Sequence, residues 1–143
     1  MGIIITKVWI LIVLLSIMSY IANLSAQDDY AQIRNHEYIN HKKQWLIRAT
    51  ITFLLVVCLV TFYNLLFSSS WILIGYYSLI AAFWFSIVFR YKLNSLRQLP
   101  IDYISRSNIY DSIFITLANK NEGKLAYIIE LIMVIVFSML SLI

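Results

Sequence analysis

The residues able to do chemistry in this chain are few, and most stand beside long apolar runs. Glu130 is the one acid inside such a run. A carboxylate in hydrocarbon costs a few kcal/mol unless it is paired or faces protein. Arg48 is its natural counter-ion. It follows Trp45 by three residues and Glu130 follows Leu125 by five, so at ~1.5 Å per residue both lie about 5–8 Å deep from one side. The pair Arg48 and Glu130 therefore reads first as a buried ion pair that fixes helix neighbours, and second as a proton or ion site. His36-Glu37-Tyr38-Ile39-Asn40-His41 invites comparison with the zinc motif H-E-x-x-H. The motif needs two histidines four apart on one helical face. Here they are five apart, turned about 140° from each other at 3.6 residues per turn. No metal site is expected there, even with Asp28 and Asp29 nearby. The single cysteine, Cys58, excludes an internal disulfide and reads as a small buried residue. Three glycines supply no phosphate loop, and no Ser/His/Asp set stands out. The reading is no catalytic residue, no cofactor and no enzyme.

The elements that must position these residues follow from composition. The chain has 143 residues, 62% hydrophobic and 13% charged. A soluble domain is about 45–50% apolar and about 25% charged. Four segments are long enough for the ~20 apolar residues that a spanning helix needs, at about 3–24, 45–67, 71–89 and 125–143. None alternates as a barrel strand does, so the fold class expected is all-α, a transmembrane four-helix bundle forming a single domain over 1–143. Gly75, Ser78, Ala82 and Ser86 form a small-residue stripe that lets another helix approach closely. In the last loop, Ile109, Tyr110, Ile113, Phe114 and Leu117 share one helical face, with Asn108 as N-cap. Residues 109–120 thus read as a short interfacial amphipathic helix, with a cytosolic-side cap on the bundle as the alternative.

Charge sets the expected topology. Loop 25–44 and loop 90–124 hold nearly all the Lys and Arg and share one side, opposite Lys7. The positive-inside rule places both loops in the cytoplasm. Lys42, Lys43, Arg90, Lys92, Arg97 and Arg106 then form a basic membrane-proximal face suited to anionic lipid headgroups or a protein partner, and not to nucleic acid. The N-terminus argues the other way, because the run ending Ala22-Asn23-Leu24-Ser25-Ala26 resembles a signal peptide cut after Ala26. The charge bias favours four uncut spans. Sequence does not separate a monomer from a homo-oligomer.

Two blocks carry a family resemblance. One is Ile39-Asn40-His41-Lys42-Lys43-Gln44-Trp45-Leu46-Ile47-Arg48 ahead of a span. The other is Leu93-Asn94-Ser95-Leu96-Arg97-Gln98-Leu99-Pro100-Ile101-Asp102-Tyr103, then Tyr110-Asp111, after a span. The pair resembles small uncharacterised membrane proteins of phages and prophages of bacteroidete bacteria, over roughly residues 30–120. In such proteins Gly often stands where this chain has Gln98. The resemblance implies a bacterial inner membrane and a phage context, and no particular activity. The function expected is a non-enzymatic accessory or interaction factor. The alternatives are a holin-like pore-former and a small ion-coupled transporter built on Glu130.

Overall fold

The computed structural model describes residues 2–37, 40–67, 70–104, 116 and 123–143. The architecture is all-α, with four long helices in an antiparallel bundle. They are α1 (Gly2–Arg34), α2 (His41–Phe67), α3 (Ile72–Leu96) and α4 (Lys124–Leu142). Each contains a stretch long and apolar enough to cross a membrane, which makes the chain a small integral membrane protein. In hydrocarbon every backbone N–H and C=O must be satisfied within the segment, and a helix does that. The single proline, Pro100, lies beyond the end of α3 and interrupts no helix.

The helices are longer than their apolar runs. At ~1.5 Å per residue α1, with 33 residues, is about 50 Å long, well over the ~30 Å of a bilayer core. Residues 25–34, expected as loop, continue α1 to Arg34. The reason is local and tertiary together. The stretch has no Gly or Pro, Gln32 Nε2 donates to Asp28 Oδ2 across one turn (2.9 Å), and Ala26 and Asp29 are buried against the bundle. Cleavage after Ala26 would cut this helix and remove Leu14, Met18 and Ala22 from the interior. Likewise α3 runs past Phe89 to Leu96, because Arg90 and Asn94 find buried partners. The expected interfacial helix at 109–120 lies outside the described residues, apart from Thr116.

α3 is the central helix and packs on α1, α4 and α2. α1 also touches α4 and α2, whereas α2 and α4 make no contact among the described residues. Each helix turns one narrow stripe inward. It comprises Leu14, Met18, Ala22 and Ala26 on α1, Thr52, Val56, Val60 and Tyr63 on α2, Leu73, Tyr77, Ile80 and Ala81 on α3, and Ala126, Glu130 and Val134 on α4. Steps of three and four place these residues on one face. A cross-helix bond adds direction, since Trp84 Nε1 donates to Ser19 Oγ (2.8 Å) between α3 and α1. The remaining faces are also apolar, with Trp9, Tyr20, Phe53, Phe62, Leu65, Ile132 and Met139 all exposed. Such a surface suits lipid tails. Exposed Trp71, the N-cap of α3, and exposed Tyr91 within it are 20 residues apart, or ~30 Å, the thickness of the hydrocarbon core.

Two packing expectations are corrected. Gly75 and Ala82 are exposed, and a Cβ on Gly75 would meet nothing within 4 Å. They sit two residues, about 200°, from the buried Leu73 and Ile80, so large side chains rather than the small stripe fill the α3 interface. Ser78 is half-buried, and only Ser86 of the stripe bonds across helices, to Glu130 of α4. Cys58 is exposed, because the inward stripe of α2 passes through Val56 and Val60 on either side of it.

Candidate functional site: two arginine–carboxylate pairs at one end of the bundle

α3 and α4 build the first pair. Ser86 and Arg90 stand four apart on α3, and Tyr127 and Glu130 three apart on α4, so each couple occupies one helical face. The faces meet. Arg90 Nη1 donates to Glu130 Oε2 (3.0 Å) and Nη2 to Oε1 (3.2 Å), a fork-on-carboxylate geometry. Ser86 Oγ donates to Glu130 Oε1 (2.8 Å), and Arg90 Nη2 also reaches Ser86 Oγ (3.3 Å). The guanidinium stacks 5.1 Å from the centre of the Tyr127 ring. Glu130 is 0% exposed and Arg90 8%. A charge so buried is tolerable because its partner is equally dry and its oxygens are hydrogen-bonded.

The second pair joins α1 to α2. Arg48 Nη1 donates to Asp29 Oδ2 (3.3 Å) and Nη2 to Asp29 Oδ1. Arg48 also lies 5.0 Å from the centre of the Phe89 ring of α3. The expected Arg48–Glu130 pair does not form, because α2 and α4 do not touch and α3 presents Phe89 to Arg48 and Arg90 to Glu130. Consecutive residues on a helix diverge by about 100°, so α3 separates the two pairs. Reading residues 25–34 as loop hid Asp29 from consideration. Reading Arg90 as a surface residue hid the partner of Glu130.

Above the first pair, the chain after α3 folds into a cap. α3 ends with Leu99 N donating to Asn94 O and Gln98 N to Ser95 O, with Gln98 at φ 55°. That is the Schellman pattern, with glutamine in the left-handed position usually held by glycine. The returning segment is gripped from below. Asn94 Nδ2 donates to Ile101 O (3.0 Å) and Tyr103 O (2.8 Å), and Tyr127 Oη donates to Ile101 O (3.0 Å). Ile104 is buried on Ala126 and Ile129. Gly123 N donates to Asp102 O, and a Cβ on Gly123 would stand 2.8 Å from Ile104 Cγ1, so glycine is required by close approach. Lys124 Nζ lies 3.9 Å from Asp102 Oδ2 at the surface. Ile101, Asp102, Lys124, Tyr127 and Ile128 line an open groove beside this cap.

The expected basic face is altered. Arg90 is buried and bound to Glu130, so it does not belong to a surface patch. Lys43 is exposed, Lys92 is half-buried, and Arg97 is half-buried with its guanidinium 6.0 Å from the Tyr103 ring. The Lys42 side chain and Arg106 lie outside the described residues. At the other end of the bundle Lys7 Nζ donates to Leu142 O (3.4 Å), a cation on the negative end of α4. Among the described residues no cluster of three or more His, Cys, Asp or Glu could hold a metal ion. Comparison with family models, with curated proteins and with solved structures gives no match.

Proposed function

We propose that the chain is a non-enzymatic accessory protein of a bacterial inner membrane, a rigid four-helix anchor whose charged end engages anionic headgroups and through them a membrane-bound partner. One observation carries this reading. The two carboxylates buried in the helices, Asp29 and Glu130, are each held by an arginine in an inter-helix pair, while Lys43, Lys92 and Arg97 keep surface exposure at that same end. Acids clamped in this way serve architecture. A carboxylate that carries protons or ions must exchange partners during its cycle, and a bidentate arginine opposes that. The positive-inside rule supports a cytoplasmic position for this end. The resemblance of residues 39–48 and 93–103 supports the bacterial inner membrane and a phage context.

The test is lipid retention. Lys42, Lys43, Lys92, Arg97 and Arg106 are changed together to Gln, with Arg90 left intact, and the lipid that co-purifies in mild detergent is weighed by mass spectrometry. Loss of anionic lipid with unchanged helicity is the expected result. Equal retention of anionic lipid by both proteins refutes the basic-face reading. Paired reporters at Ile143 test orientation, with an outside C-terminus expected and a cytoplasmic one overturning it.

A further inference from the structure

The groove beside the cap lies where the membrane changes from hydrocarbon to headgroup. Glu130 pairs with Arg90, the neighbour of exposed Tyr91 at the edge of the hydrocarbon core. Tyr127 stands three residues before Glu130 and Lys124 six, so they lie about 4.5 and 9 Å further out along α4. The groove has a volume of about 610 Å³. Ile101 and Ile128, each 55% exposed, give it an apolar flank at this depth. Its outer end carries one charge of each sign. Lys124 Nζ and Asp102 Oδ2 are 3.9 Å apart, with side chains 73% and 26% exposed. At that distance they attract without hydrogen bonding to each other, so the ammonium and the carboxylate both keep capacity for a ligand. The wall is fixed from behind. Ile101 O accepts from Asn94 Nδ2 and Tyr127 Oη, and Asp102 O accepts from Gly123 N, so the groove is built before a ligand enters.

A ligand complementary to this groove is apolar at one end and carries both signs of charge at the other. A zwitterionic phospholipid has that form, and the groove sits at the depth where its headgroup meets its acyl chains. We propose that the groove binds phosphatidylethanolamine, with the phosphate on Lys124, the ammonium on Asp102, and the glycerol and upper acyl chain along Ile101 and Ile128. The Asp102 carboxylate decides the class of lipid. It repels the net charge of an anionic lipid. It also accepts hydrogen bonds that the ethanolamine ammonium donates and that the trimethylated ammonium of choline lacks. The site is separate from the basic face, since Lys43, Lys92 and Arg97 do not line it.

The experiment is native mass spectrometry of the full chain, delipidated in mild detergent and titrated with four lipids of identical acyl chains. These are phosphatidylethanolamine, its N-methyl and N,N-dimethyl derivatives, and phosphatidylcholine, which offer three, two, one and no N–H donors. Phosphatidylethanolamine is expected to bind roughly fivefold tighter than phosphatidylcholine, the worth of about one net hydrogen bond, with affinity falling along the series. Equal binding of all four overturns the proposal. Asp102→Asn keeps the backbone carbonyl that Gly123 uses and is expected to bring phosphatidylethanolamine down to the phosphatidylcholine level at unchanged helicity. Lys124→Gln is expected to weaken both lipids alike, because both carry the phosphate. A preference for phosphatidylethanolamine that survives Asp102→Asn overturns the proposal. The preference is expected to persist when Lys42, Lys43, Lys92, Arg97 and Arg106 are changed together to Gln. Its loss there places the lipid on the basic face and also overturns the proposal.

Discussion

Changing Glu130 to Gln removes one charge from the α3–α4 pair and leaves almost every atom in place. The single oxygen of glutamine can accept from Ser86 Oγ and Arg90 Nη2, while its NH2 replaces the oxygen that accepts from Arg90 Nη1, so the change loses one hydrogen bond together with the compensation of the Arg90 cation, which is 8% exposed. Breaking a buried pair from one side costs about 3–5 kcal/mol, because the surviving charge stays desolvated. For a chain of this size ~1 kcal/mol moves the midpoint by about 2–4 °C, so a fall of roughly 10 °C is expected. The assay is thermal unfolding in mild detergent, followed by far-UV circular dichroism. The companion variant replaces both partners, Arg90→Met with Glu130→Leu, and is expected to recover to within about 2 kcal/mol of the wild type, since apolar pairs of similar volume often substitute without loss. The reasoning fails if Glu130→Gln unfolds at the wild-type temperature, or if the double replacement is as damaged as the sum of its singles.

Other positions yield sharper local tests. Gln98 and His36 hold φ near +55°, so Gln98→Gly and His36→Gly should each stabilise by about 0.5–1 kcal/mol, read as a raised midpoint. Gly123→Ala should destabilise by about 1–3 kcal/mol, because the new Cβ must push away Asp102 and Ile104, and limited proteolysis should then cut the cap faster than in the wild type.

The four apolar spans were legible in the sequence because a spanning run needs only length and composition. The ends were not. Ser25–Arg34 looks polar and loop-like in isolation, yet it carries no helix breaker and one of its faces, through Ala26 and Asp29, is buried. Once α1 stops at Leu24 on paper, Asp29 has no address and Arg48 is assigned to the wrong acid. The existence of a buried pair around Glu130 could be argued from cost alone, but its partner depended on which helices adjoin, and single-sequence periodicity does not encode that. The small-residue stripe failed for a related reason. Gly75 and Ala82 permit close approach without requiring it, and Leu73, Tyr77 and Ile80 fill the interface instead. The left-handed turn at Gln98 is not announced by the residue this chain places there, since glutamine does not mark a positive φ as glycine does.

Each ion pair lies within one helical hairpin, Asp29–Arg48 in α1–α2 and Arg90–Glu130 in α3–α4. Neutralisation of each hairpin therefore needs no residue from the other, and the two hairpins meet through Leu14, Met18 and the Ser19–Trp84 bond along α1 and α3. This division makes a charge exchange diagnostic. Arg48→Asp alone places two carboxylates together and should destabilise by about 2–4 kcal/mol, with Asp29 only 4% exposed and unable to retreat to water. Adding Asp29→Arg restores an opposite pair on the same two helices and should recover most of the loss. Adding Glu130→Arg instead should deepen it, because α2 and α4 stay apart and Arg90 would then face a like charge. Recovery by Glu130→Arg would show that α2 adjoins α4 in the membrane and would overturn the helix order on which the site rests.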